Sequence, residues 1–197
     1  MKRFKLLLLM TLLISMSALA QKTAWKLDRS HSSVEFSIRH FVISEVTGRF
    51  KDFDISVNAS KPDFTDAEIE ATIKVTSINS DNEKRDGHLR TDDFFNAEKF
   101  PEIKFKSASF EKVGENKYKI TGDLTIRDVT KKVTFDAIYN GSIKSPWGAL
   151  VTSWKATIAV NRFDYGLKWN KTIEAGGLIA GDAVTITLNL ELTKPSA

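Results

Sequence analysis

The 197-residue chain contains no cysteine, which excludes disulfides, thiol catalysis, thiolate metal sites and haem attachment through Cys. Its formal charge of +4 overstates its basicity, because Lys2, Arg3 and Lys5 crowd the first five residues and the remainder is close to neutral. That balance offers no basic face to nucleic acid and no polybasic tail to a membrane surface.

The chain opens with those basic residues, continues with an apolar run from Leu6 to Ile14, and reaches Ala18-Leu19-Ala20. This is the form of a secretory signal peptide over residues 1–20, cut after Ala20. The run is too short to span a bilayer well, and no cysteine follows that would carry a lipoprotein anchor. The expectation is a periplasmic or secreted protein whose residues 21–197 form one domain, long enough to bury a core of its own.

Beyond the leader, period two dominates, as expected of strands with one buried face. Val34, Phe36 and Ile38 alternate with polar residues, as do Phe53, Ile55 and Val57, then Ile69, Ala71, Ile73 and Val75. Tyr118 to Ile126, Val133 to Tyr139, Trp154 to Val160 and Val184 to Leu192 repeat the pattern. Residues 112–117 and 127–132 read as hairpin loops, so neighbouring strands are antiparallel. With the Trp25 stretch and the strand after Pro101, roughly eight or nine long strands are predicted, a number suited to closure into a barrel. The predicted class is all-β, an antiparallel eight-stranded lipocalin-like barrel.

Alternation stops between about residues 80 and 100. Ser80 with Glu83 matches a capping box, Gly87 suits a helix C-terminus, and Thr91 with Asp92 and Asp93 suits a second turn. A short helical insertion is predicted, bearing Phe94, Phe95 and Phe100. These rings either pack as core at a closed end of the barrel or line its mouth. Phe105 alternates with Lys104 and Lys106 and belongs to the inner face of the next strand.

That inner face mixes large apolar residues with Ala71, Gly122, Ala137 and Ala156. Two readings follow: small residues interlock with large ones in a filled barrel, or they leave a tunnel for one long apolar molecule. Catalytic signals are sparse. His31 and His40 lie roughly 30 Å apart along an extended strand, and no metal-ligand spacing, nucleophile elbow or phosphate loop occurs. Asp28, His31 and the adjacent serines read as loop hydrogen bonding rather than a triad. An enzyme would require converging polar groups inside the barrel, such as His40 with Arg162 or Asp164. Arg162 follows an apolar strand, where it either joins an ion pair or meets a polar head group. Trp169 and Tyr165 add aromatic surface to a glycine-rich connection.

Five segments in this order, "DRSHSSVEFSIRH" (28–40), "TGRFKDFD" (47–54), "RDGHLRTDDFFNAEKFPEIKF" (85–105), "GDLTIRDVTKKVTF" (122–135) and "VNRFDYGL" (160–167), resemble the YceI-like family of exported bacterial barrels described as polyisoprenoid-binding. One departure is Asp128, where the family has glycine; aspartate tolerates left-handed backbone better than most residues. The resemblance implies a non-enzymatic carrier that encloses an isoprenoid lipid, of quinone or polyprenyl type, and needs no other cofactor. It puts Phe36, Ile38, Leu89, Phe94, Phe95, Phe105 and Trp169 on the tunnel wall or mouth, and His40, Arg85 and Arg162 near a head group. Implied partners are the lipid and a membrane redox protein, and a barrel edge is available for a homodimer. The competing expectations are an enzyme acting on an apolar substrate and a filled barrel with a stress or interaction role.

Overall fold

The structure, a computed structural model, describes residues 22–172 and 176–194; the predicted leader lies outside the described residues. Eleven strands and one helix follow in order: β1 Thr23–Leu27, β2 Ser33–His40, β3 Ser44–Phe50, β4 Phe53–Ala59, β5 Glu68–Lys74, β6 Ile78–Asn79, α1 Glu83–Arg90, β7 Glu102–Gly114, β8 Lys117–Ile126, β9 Val129–Lys144, β10 Leu150–Asn161 and β11 Ala180–Lys194.

The eleven reduce to eight staves, because the first three staves are each broken once. β1 and β2 both pair with β11, β3 and β4 pair with β2 and β1 respectively, and β5 and β6 pair with β4 and β3. From β5 the ladder runs through β7, β8, β9 and β10 to β11, and the β1–β11 pairing closes the ring. The three breaks sit side by side. Asp28 caps a turn at Arg29–His31, and Arg29 donates to the carbonyl of Phe53. Lys51 N–H reaches Ser77 O at 3.1 Å, and Lys74 N–H reaches Asp52 O at 2.9 Å. Side-by-side interruptions let flat strands turn the corner that a closed barrel requires.

Antiparallel staves send their connections alternately to opposite ends. Residues 41–43, 80–101, 127–128, 162–172 and 176–179 therefore share one end, the rim. Residues 60–67, 115–116 and 145–149 share the other, the floor. The floor is packed with rings. Phe64, held at φ 59°, reaches in from its loop to lie 4.9 Å from Trp25 and 5.1 Å from Trp154. Phe110, Tyr118 and Tyr139 surround Trp154 at 5.5, 5.0 and 4.9 Å. Their tilted and edge-on geometries are those that aromatic quadrupoles favour.

The insertion is helical, with different caps from those expected. Asn82, not Ser80, is the N-cap, accepting from Arg85 N–H at 3.0 Å. Ser80 instead donates its backbone N–H to buried Asp86 at 2.9 Å. Gly87 lies inside the helix, which ends at Arg90 with Thr91 as its C-cap. The predicted loop at 127–132 shrinks to two residues, and the left-handed residue there is Arg127, at φ 56°, rather than Asp128.

Candidate functional site: an apolar cavity beneath the rim

The barrel is only partly filled. Above the aromatic floor lies a cavity of about 160 Å³. β2 contributes Val34, Phe36 and Ile38, and β11 contributes Val184, Ile186, Leu188 and Leu190. Ile120, Leu124 and Ile126 enter from β8, with Ala71 and Ala156 as the small members of the wall. Leu89, Phe94, Phe95 and Leu167 descend from the rim. Glu35 and Arg162 are the charged residues of the lining, and Glu35 is exposed on the outer face of β2. One water needs roughly 10–15 Å³ and several polar partners; cavities of this size walled by Leu, Ile and Phe stay dry and accept apolar ligands.

Not every small residue opens space. A Cβ on Gly122 would lie 2.4 Å from Lys106 O and 2.6 Å from Phe105 Cζ, so Gly122 makes room for the Phe105 ring. Ala137 is buried near the floor and is absent from the lining. Ala71 and Ala156 are the positions where small size becomes volume.

The rim is held by arginines bonded to backbone carbonyls. Arg162, 3% exposed, donates to Gly181 O (2.7 Å), Leu167 O (2.8 Å), Trp169 O (2.7 Å) and Ala180 O (3.0 Å). It thus ties the Leu167–Trp169 stretch to the start of β11. Burial pulls its pKa below the usual arginine value, countered by the charge of Asp182. Arg127 donates to Asp92 O, Phe94 O and Gly166 O, pairs with Asp92 Oδ1 at 2.7 Å and lies 5.4 Å over the Phe100 ring. Arg85 bonds Ser80 Oγ and Ser80 O, and Arg90 bonds Thr76 O and Ile78 O.

Of the residues singled out in sequence, Phe36, Ile38, Leu89, Phe94, Phe95, Phe105 and Arg162 line the cavity. Trp169 does not reach it; it stacks behind Phe94 at 5.6 Å and meets His88 edge-on at 5.7 Å. Arg85 is spent on Ser80. His40 lies outside the lining, its ring 4.0 Å from that of Phe41. His40, Arg162 and Asp164 are not brought together: Asp164 pairs with Lys131 at 3.2 Å. Phe100 sits under Arg127, away from the lining. A group able to hold a metal, Asp28 with His31 and Glu191, has its ligand atoms within 4.8 Å of one another. Asp28 already accepts from Ser30 and His31 there, which gives that cluster a structural task.

A family model described as a YceI-like domain matches residues 25–192. The chain belongs to the YceI-like family. Among its relatives is the UPF0312 protein SA2479 of Staphylococcus aureus, 40% identical over 172 residues, which are 87% of this chain and 98% of that protein. Two solved structures share the YceI-like barrel at lower identity. BcnA of Burkholderia cenocepacia superposes with a TM-score of 0.73 at 22% identity, covering 84% of this chain and 99% of that one. A polyisoprenoid binding domain from Saccharophagus degradans, implicated in plant cell wall breakdown, gives 0.60 at 17% identity, covering 87% and 98%. Within the YceI-like fold seen here, sequence reasoning missed the Phe64 floor plug and the arginine clamps. A phenylalanine in a Pro-Asp loop has no periodicity to betray it, and carbonyl partners carry no residue code.

Proposed function

We propose that the protein is exported, loses its first 20 residues, and carries or sequesters one isoprenoid-type lipid in the periplasm or outside the cell. The observation that carries this reading is the cavity: walled almost wholly by apolar side chains, blocked below by rings, and extending up to the rim. Its wall along β11, Val184 to Leu190, spans roughly 20 Å of strand. Each CH₂ buried there contributes about 0.8 kcal/mol, so tail binding needs no polar contacts. A cavity of about 160 Å³ matches a small apolar molecule, so a long tail enters only as the wall widens around it. The polyisoprenoid-binding description of the Saccharophagus degradans domain supports the ligand class. The clamped arginines leave head-group recognition weak, which suits quinone or polyprenyl cargo whose tail dominates. A quinone so held would be handed to a membrane redox protein, and the outer edge of β3 offers a homodimer its pairing surface.

The test is native mass spectrometry of protein exported in its own host and purified without detergent, followed by solvent extraction. A stoichiometric adduct of prenyl-lipid mass is expected. A clean apo mass that persists after incubation with quinones and polyprenols would sink the carrier reading in favour of a lipid-free role.

A further inference from the structure

The β2–β3 connection is built against the ordinary rules of hairpins. It joins His40 to Ser44 through Phe41, Val42 and Ile43, which are 42%, 56% and 86% exposed. Phe41 and Val42 both adopt left-handed backbone, φ 50° and 67°. Such turns select Asn and Gly, and a β-branched residue there is a strained outlier. The sequence thus accepts backbone strain and exposed apolar surface at one point, and neither helps the barrel to fold.

That point stands on the rim, beside the cavity. Two residues before His40, Ile38 lines it. The surrounding wall is the least complete part of the barrel. On one side the β2–β11 register slips between Ala180 and Val184. On the other, β3 meets β6 only at Arg49 and Phe50, so Ser44–Gly48 has an unpaired edge among the described residues. Among the described residues the floor offers no second exit, since Phe64 and Trp154 pack across it.

We propose that the Phe41-Val42-Ile43 tip inserts into a lipid bilayer and seats the cavity mouth on the membrane for loading and release of cargo. This rests on the carrier reading: a long apolar chain crossing water would expose every CH₂ at about 0.8 kcal/mol each, so the mouth must touch the phase that holds the cargo. The occupant is a bilayer rather than a protein because the feature is a convex tip of three residues. That is far below the roughly 800 Å² per partner of a stable interface, yet suited to entering an acyl layer, as interfacial apolar side chains do. Charges beside the tip have both signs, Arg39 standing opposite Glu45 in the β2–β3 ladder. Apolar insertion is therefore the driving term, and anionic lipid is not required.

The test uses the full exported chain and a Val42→Asp/Ile43→Asp variant; aspartate tolerates left-handed backbone, so the turn persists, checked by thermal melting. Flotation with phosphatidylcholine vesicles at low and high salt, affinity for a fluorescent geranylgeranyl lipid, and transfer of that lipid between vesicles are measured. The unaltered chain floats at both salts, and the variant floats and transfers at least tenfold less while its affinity for the probe stays within twofold. Ile143→Asp/Trp147→Asp, at exposed apolar residues of the opposite end, floats normally. Unchanged flotation of the tip variant, loss of flotation in the opposite-end variant, or no flotation of the unaltered chain overturns the proposal. Flotation without probe binding in any variant strikes the carrier reading, whereas probe binding without flotation strikes the tip alone.

Discussion

Gly48 lies under the ring of Phe36: a Cβ on Gly48 would stand 2.3 Å from Phe36 Cζ and 2.7 Å from Phe36 Cε1. The two residues are cross-strand partners in the β2–β3 ladder, and the missing side chain of one is the seat of the other. Gly48→Ala forces the ring toward the cavity it lines. Overpacking of this kind costs roughly 1–3 kcal/mol. Affinity for a prenyl lipid should fall alongside, and a paired Gly48→Ala/Phe36→Leu variant should recover stability. Chemical denaturation of the three proteins decides it.

Ala156 separates volume from stability in the opposite sense. It is 4% exposed and faces the cavity, so Ala156→Leu grows into empty space rather than into a packed neighbour. Melting should change by no more than the equivalent of about 1.5 kcal/mol. Prenyl-lipid binding should drop at least tenfold, and equal binding by both proteins would place the ligand elsewhere.

Arg162 should matter through its shape. Lysine offers a point charge where a planar fork meets four carbonyls. Arg162→Lys is expected to lose roughly 3 kcal/mol, because hydrogen bonds from a charged donor contribute about 1.5–3 kcal/mol each and some are recovered by water. The loss should appear in hydrogen exchange as faster opening of residues 162–172 and 176–181, with the β7–β8 amides unchanged.

The turn between β1 and β2 should give stability a pH optimum. The Ser30 hydroxyl, then the His31 ring, hold the Asp28 carboxyl down from 3.8 to about 2. That contribution is complete above the unfolded value and fades as pH falls toward 2. His31 is raised above 6.5 by its hydrogen bond to Asp28, then by the charges of Asp28 and Glu191. Its contribution is complete below 6.5 and fades as pH climbs through the raised value. The latch is therefore strongest between about pH 4 and 6.5. His31→Gln should flatten the alkaline side of a Tm–pH curve and leave the acid side sloping.

The barrel was legible because one-faced strands write themselves in period two. Val34-Phe36-Ile38 and Tyr118 to Ile126 declare both element and orientation. The breaks were not legible, because Val75 continues the alternation of β5 and yet enters a helical turn. Ser80 with Glu83 satisfied a local capping rule, but Asp86 claimed Ser80 first and Asn82 took the cap. The cavity wall was readable for Phe36 and Phe105, whose strand sets their direction. For Arg85 and Arg162 the charge was visible and the destination was not, since a guanidinium finds carbonyls brought close only by the finished fold.

The ring of aromatics around Trp154 has one more consequence. A passage stopped at one end works as a ruler. On the carrier reading proposed above, a flexible tail would enter leading end first and stop where the cavity ends, above the packed Phe64 and Trp154 rings, leaving whatever length remains at the rim with its head. The position of that fixed stop would then set the length of tail taken up before the head group is met.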